Sequence, residues 1–116
     1  MPEIKIINGE EVVVYGTTIT QACILDVSVG TTGYCGGDTG HGGRTYFKLS
    51  NVACTDMHCK IVPSQHHDGG VDEIEIEFGG DMELDNFIDA LEFALRVLKF
   101  QREMPTTIGR LCPSGK

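Results

Sequence analysis

Between Asp81 and Met104 lies a stretch that restricts the folds open to this chain more than any other. Gly79-Gly80 precede it, Asp81 is a suitable N-cap and Pro105 stops it, so a helix is expected over about Met82–Glu103. Glu83 and Asp85 sit where the helix dipole favours anions, Lys99 and Arg102 where it favours cations. On a helical wheel, Leu84, Phe87, Ile88, Leu91, Leu95 and Leu98 form one apolar stripe, which is expected to cover a sheet. Phe93, Val97, Phe100 and Met104, with Ala90 and Asn86, lie on the opposite side. A helix apolar on two sides is buried on two sides, and a chain of 116 residues holds no second long helix to do it. The same helix of a second copy, packed antiparallel in an isologous contact, would cover the second stripe. The alternative is that residues 106–116 fold back over it. An exposed apolar patch of that size is unusual, which favours the dimer.

Upstream, the period changes from helical to alternating. Glu3–Ile7 and Glu11–Tyr15 are β-rich runs joined through Asn8-Gly9, the dipeptide suited to a tight type I′ hairpin turn, with Gly16 closing the unit. A third strand is expected from about Thr18 to Val29, where Leu25, Val27 and Val29 alternate with Asp26 and Ser28. Arg44–Val52 and Met57–Val62 read as further strands, and Pro63–Gly70 as a polar loop. Val71–Phe78 has the cleanest alternation, with Ile74, Ile76 and Phe78 expected inward and Glu73, Glu75 and Glu77 outward. The expected class is therefore α+β in one domain. An antiparallel sheet occupies 1–80 with a glycine-rich loop at 30–45. One long helix at 81–104 packs on it and forms the oligomer interface, and a basic tail runs over 105–116.

Charge narrows the partners. Net charge is −8, yet residues 1–95 hold Lys5, Arg44, Lys48 and Lys60 against sixteen acids, while residues 96–116 hold five bases against Glu103 alone. An acidic body argues against duplex nucleic acid but permits a small anion at a local basic spot. No signal-peptide pattern opens the chain and no apolar run is long enough for a membrane span, so a cytoplasmic location without membrane contact is expected. The five cysteines are odd in number and irregularly spaced, which fits reduced thiols better than a disulfide framework.

The segment most able to hold a ligand is Thr31–Thr45. Seven glycines fall between Gly30 and Gly43, interleaved with Tyr34, Asp38, His41 and Arg44. Glycines let backbone amides approach a ligand and form an anion-binding nest. Thr39, His41, Arg44 and Thr45 add side-chain donors, and Arg44 is able to grip a phosphate bidentately. The segment is not a P-loop: Asp38 stands at the first glycine position, Arg44 at the lysine, and a strand follows. The bland alternative is a surface loop between two strands. Tyr34, Tyr46, Phe78 and Phe100 are candidates for base stacking, although aromatics at strand or helix periods are usually core. Asn86, near the helix start, is placed to touch a partner subunit or a ligand between subunits.

Metal and catalytic readings are weaker. Cys54, His58, Cys59, His66 and His67 lack the paired spacings of a structural zinc site, and no metal or other cofactor is expected. Cys35 with His41 and Asp38 is conceivable as a nucleophilic set, but seven glycines supply little of the rigidity that catalysis requires.

The segment GYCGGDTGHGGRT (Gly33–Thr45), followed by a strand and later by Gly79-Gly80-Asp81 opening an acidic-to-apolar helix, resembles the first-described family of phage-encoded Thoeris anti-defence proteins. The resemblance implies a sponge, located in the host cytoplasm, that binds cyclic ADP-ribose isomers made by TIR-domain enzymes and sequesters them uncleaved. It implies assembly through the long helix, with ligand held between subunits and cyclic oligonucleotides also held in some members. His41, Arg44 and Thr45 would then form a phosphate- and ribose-facing wall, with Arg102, Arg110 and Asn86 closing the pocket. Two alternatives stay open: a small nucleotide-processing enzyme using Asp38, His41 and Arg44, or a structural module whose helix is its whole function.

Overall fold

The computed structural model describes residues 2–20, 23–34, 42–53 and 55–103. Strands β1 (Glu3–Ile7), β2 (Glu10–Thr20), β3 (Ile24–Thr31) and β4 (Thr45–Ala53) form an antiparallel sheet in chain order. Strands β5 (Met57–Pro63) and β6 (Val71–Phe78) form a separate antiparallel pair, and helix α1 runs over Asp81–Glu103. The class is α+β, as the change of period in the sequence requires. Met104 and the basic tail at 105–116 lie outside the described residues.

The first hairpin turns at Asn8 (φ 50°) and Gly9 (φ 84°), the two positive φ values that a type I′ turn demands. Its second strand is longer than expected. Gly16 does not end it; β2 continues to Thr20, and Thr18–Thr20 pair with Ile24–Asp26 instead of opening β3. The sheet curls enough that Lys5 Nζ, on edge strand β1, lies 5.6 Å from the ring centre of Tyr46 on the other edge strand, β4.

Leu25, Val27 and Val29 project from one face of β3 and are fully buried beneath Ala90 and Ala94 of α1. Burying each large aliphatic side chain contributes about 1.5–3 kcal/mol as an upper figure. The face that α1 turns to the sheet reverses the expected one. Asn86, Ala90, Ala94 and Gln101 are its buried residues, with Phe93 and Val97 packed partly against the same cluster. From the stripe expected to cover the sheet, Leu84, Ile88, Leu91 and Leu95 stay exposed, while Phe87 and Leu98 are half-buried. The reason is steric and polar together. Two alanines let the helix backbone approach β3 closely, and the amides of Asn86 and Gln101 reach backbone groups that a leucine would leave unpaired.

The second pair also departs from its expected orientation. Phe78 is half-buried and its ring centre lies 4.6 Å from that of Phe87, but Ile74 and Ile76 are exposed. Beyond its base, the β5–β6 hairpin is not covered by the described body.

Candidate functional site

A cleft of about 370 Å³ opens between the base of the glycine-rich loop and the C-terminal half of α1. Thr31, Gly33, Tyr34, Gly43 and Thr45 form one wall; Leu95, Leu98, Lys99 and Arg102 form the other. The volume falls within the range of small-molecule sites, roughly 300–1,000 Å³.

The loop base is a fixed structure. Thr32 N donates to Arg44 O at 3.0 Å, and Arg44 N donates to the Thr32 hydroxyl at 2.9 Å. The hydroxyls of Thr31 and Thr45 lie 2.9 Å apart across β3 and β4, and Gly33 N donates to Thr31 Oγ1 at 3.1 Å. A Cβ at Gly43 would collide with the Gly33 carbonyl oxygen, so any side chain there would pry the two loop stems apart. Sequence composition marked the loop as a flexible nest; at its stems it is a hydrogen-bonded clamp.

Gln101 sets the opposite wall in register. It is 1% exposed; its Oε1 accepts from Thr31 N at 2.9 Å and its Nε2 donates to Val13 O at 2.8 Å. The same helical turn therefore ties α1 to β2 and β3 and presents Lys99 and Arg102 to the cleft. The Arg102 guanidinium is held above its ordinary pKa, chiefly by its hydrogen bond to Glu103 and also by the neighbouring Tyr34 phenol. It is a permanent cation, and its exposed ion pair with Glu103 at 3.0 Å is of a kind that contributes little and is readily exchanged for an anionic ligand.

The residues singled out in the sequence divide into four groups. Thr45 and Arg102 line the cleft. Arg44 stands beside it: the side chain is buried, its Nη1 donates to Gly42 O at 2.8 Å, and it is not part of the lining. Asn86 and Phe100 lie elsewhere. Asn86 is fully buried at the helix–sheet contact, where Nδ2 donates to Cys23 O at 3.1 Å. Phe100 is exposed beside Tyr15, Arg96 and Val97 on the other flank of α1, around a shallow hollow of about 250 Å³. Thr39, His41 and Arg110 lie outside the described residues. Sequence reasoning included Thr31 only as the edge of the ligand segment and did not assign Lys99, Leu95 or Leu98 to a site. The available signal was the spacing of Lys99 and Arg102, three apart and hence on one face of the helix.

No protein-family model, curated protein or solved structure matches this chain. The site therefore rests on its own chemistry. Among the described lining residues are two cations, two hydroxyls, a phenol, glycine backbone and two leucines, with no carboxylate, imidazole or thiol. Such a set neutralises an anion, hydrogen-bonds a polyhydroxylated group and packs against a flat apolar one. The described lining holds no carboxylate–carboxylate or nucleophile–base pair, and Cys35, Asp38 and His41 lie outside the described residues.

The position of Asn86 makes a direct prediction. Its Oδ1 has no hydrogen-bond partner among the described residues. Asn86→Ala should cost about 1–3 kcal/mol, because the Cys23 carbonyl loses its bond. It should leave ligand affinity at the cleft unchanged, as isothermal titration of the variant would reveal; a large loss of affinity would place Asn86 in the site.

Proposed function

We propose that this chain is a binding protein which captures a small phosphorylated nucleotide of the cyclic ADP-ribose type and holds it uncleaved, acting as an anti-defence sponge against TIR-generated signals. The observation that carries this reading is the pairing of Lys99 and Arg102 opposite the hydroxyls of Thr31 and Thr45, with Tyr34 at the rim. Phosphates face the cations, ribose hydroxyls face the threonines, and a base stacks on the phenol ring. The resemblance of Gly33–Thr45 to the phage anti-defence family supplies the ligand class. Chain −8 in net charge, this protein would attract an anion only locally, and the cleft lies at the basic end of α1.

A homodimer formed through α1 belongs to the same reading. Leu84, Ile88, Leu91, Leu95 and Leu98 follow a 4-3-4-3 spacing, which places them on one seam. Four of these five are exposed in the single chain. Acids (Asp81, Glu83, Asp85, Asp89, Glu92) fill the first half of the helix, and Arg96, Lys99 and Arg102 outnumber Glu103 in the second. Two helices side by side match opposite charges only when antiparallel.

The test is incubation of purified protein with cyclic ADP-ribose isomers, followed by thermal shift, filtration and chromatography of the nucleotide released on heating. At a ligand concentration of 100 times Kd, binding stabilises by about 2.7 kcal/mol, a melting shift on the order of 10 °C for a domain of this size. Lys99→Ala and Arg102→Ala should each weaken binding on the order of 10- to 100-fold with the fold intact. Release of an altered nucleotide would make the protein an enzyme. Absence of any shift would reduce it to a dimerisation module.

A further inference from the structure

The β5–β6 hairpin has one apolar face, most of which no described residue covers. In the observed register Cys59 pairs with Ile76 and Ile61 with Ile74, so these four side chains share a face with Met57 and Phe78. The other face carries His58, Lys60 and Val62 opposite Glu77, Glu75 and Glu73. Among the described residues the cover lies at the base of the apolar face, in the Phe78–Phe87 contact and in Met57 against the core. Ile61 and Ile74 are 56% and 60% exposed. A two-stranded ribbon in water is marginal unless a helix or further strands cover one face. The helix of the same chain turns its small-residue face to the four-stranded sheet, and its Leu84–Leu95 stripe is not reached by this hairpin. Among the described residues the chain thus carries two apolar faces, a ribbon and a helical stripe, that do not meet.

We infer that they meet between two molecules: the β5–β6 hairpin of each copy is an arm laid on the exposed stripe of the other copy's α1, over its basic half. Charge selects that half. From Met57 to Phe78 the hairpin carries Asp68, Asp72, Glu73, Glu75 and Glu77 against Lys60 alone. Its own helix begins beside it with five acids before residue 95, a field that repels it. Arg96, Lys99 and Arg102 of a second copy attract it. The match is geometric as well. Strands of seven and eight residues extend roughly 25 Å, long enough to lie along the C-terminal half of a helix roughly 34 Å long. A two-fold axis satisfies both arms at once and closes the assembly, covering each ribbon face and the C-terminal half of each stripe.

The consequence for the site follows from Leu95, which belongs to both the stripe and the cleft. An arm seated there roofs the cleft beside Lys99 and Arg102, so each ligand site is completed by the other copy. This inference rests on the homodimer proposed above and on α1 as its contact surface, but it replaces the helix-on-helix packing along the basic half of the stripe with the partner's arm.

Cysteine cross-linking between two differently sized versions of the full chain tests it. Both versions carry Cys35→Ser, Cys54→Ser and Cys112→Ser. One retains Cys59; the other is Cys59→Ser with Leu91→Cys or Leu95→Cys, both at exposed positions that tolerate substitution. Mild oxidation of the mixture should give a heterodimeric disulfide species with at least one of the two helix positions. A Thr17→Cys partner, exposed on β2, should give none. If chains are dimeric by light scattering yet Cys59 joins neither helix position, while Leu91→Cys chains join each other, the arm is overturned and the helix-to-helix dimer stands. If the mass is that of a monomer, the dimer reading fails and the arm fails with it.

Discussion

Gln101→Leu should lower the melting temperature by roughly 10–15 °C, a large effect for one substitution on a helix near its C-terminal end. The buried amide joins two strands to α1, and a leucine of similar volume leaves Thr31 N and Val13 O without those bonds. Each stranded backbone group costs about 1–3 kcal/mol, and near 116 residues about 4 °C is lost per kcal/mol. Gln101→Glu separates the two bonds: its carboxylate still accepts from Thr31 N but confronts Val13 O with a second acceptor. It should fall between wild type and leucine. Ligand affinity should follow the same order, because Gln101 fixes the distance between the threonine wall and the cationic wall of the cleft. Binding undiminished in a folded Gln101→Leu protein would detach the cleft from the ligand.

No local pattern in the sequence marks Gln101 as buried. Period two and the Asn8-Gly9 turn exposed nearly every strand, since each is set by residues within a few positions of one another. The helix was legible for the same reason, from Gly79-Gly80-Asp81 to Pro105. Which side of it faces the sheet was not. Hydrophobic periodicity finds stripes, and two stripes of equal strength are indistinguishable until close approach is taken into account. Ala90 and Ala94 on the inner face lower its apparent hydrophobicity, and Asn86 and Gln101 lower it further. Polar residues there read as solvent-facing, when they bond sheet backbone that the sequence does not place nearby.

The site divides along the same line. The glycine-rich segment advertised its anion-binding capacity locally, and its stems do form one wall of the cleft. The other wall comes from the far end of the chain, on α1, and depends on the helix face just described. Lys99 was legible as a helix-dipole residue and Arg102 as one cation of a basic region; that they stand together opposite Thr31 depends on Gln101. Assigning Asn86 to the ligand followed from the reversed face, since the stripe taken as outward is the buried one.

Adjacent positions on α1 therefore give opposite expectations for one substitution. Ala90 is fully buried against Leu25, Val27 and Val29, whereas Leu91 is 45% exposed. Ala90→Glu drives a carboxylate into the helix–sheet contact with no cation beside it in that cluster, costing about 3–5 kcal/mol, a large part of the 5–15 kcal/mol that holds a typical domain. It should melt far below wild type or fail to fold, whatever its partners. Leu91→Glu changes an exposed residue and should leave the single chain's circular dichroism spectrum intact. In a dimer it buries two like charges across the interface, so light scattering should report half the wild-type mass. Phe93→Glu, on the stripe that the sequence alone assigns to a second copy, strikes the protein's own core and should destabilise the fold instead. Leu91→Glu at unchanged dimeric mass would remove the exposed stripe from the interface. An Ala90→Glu protein that folds normally would restore the opposite orientation of the helix.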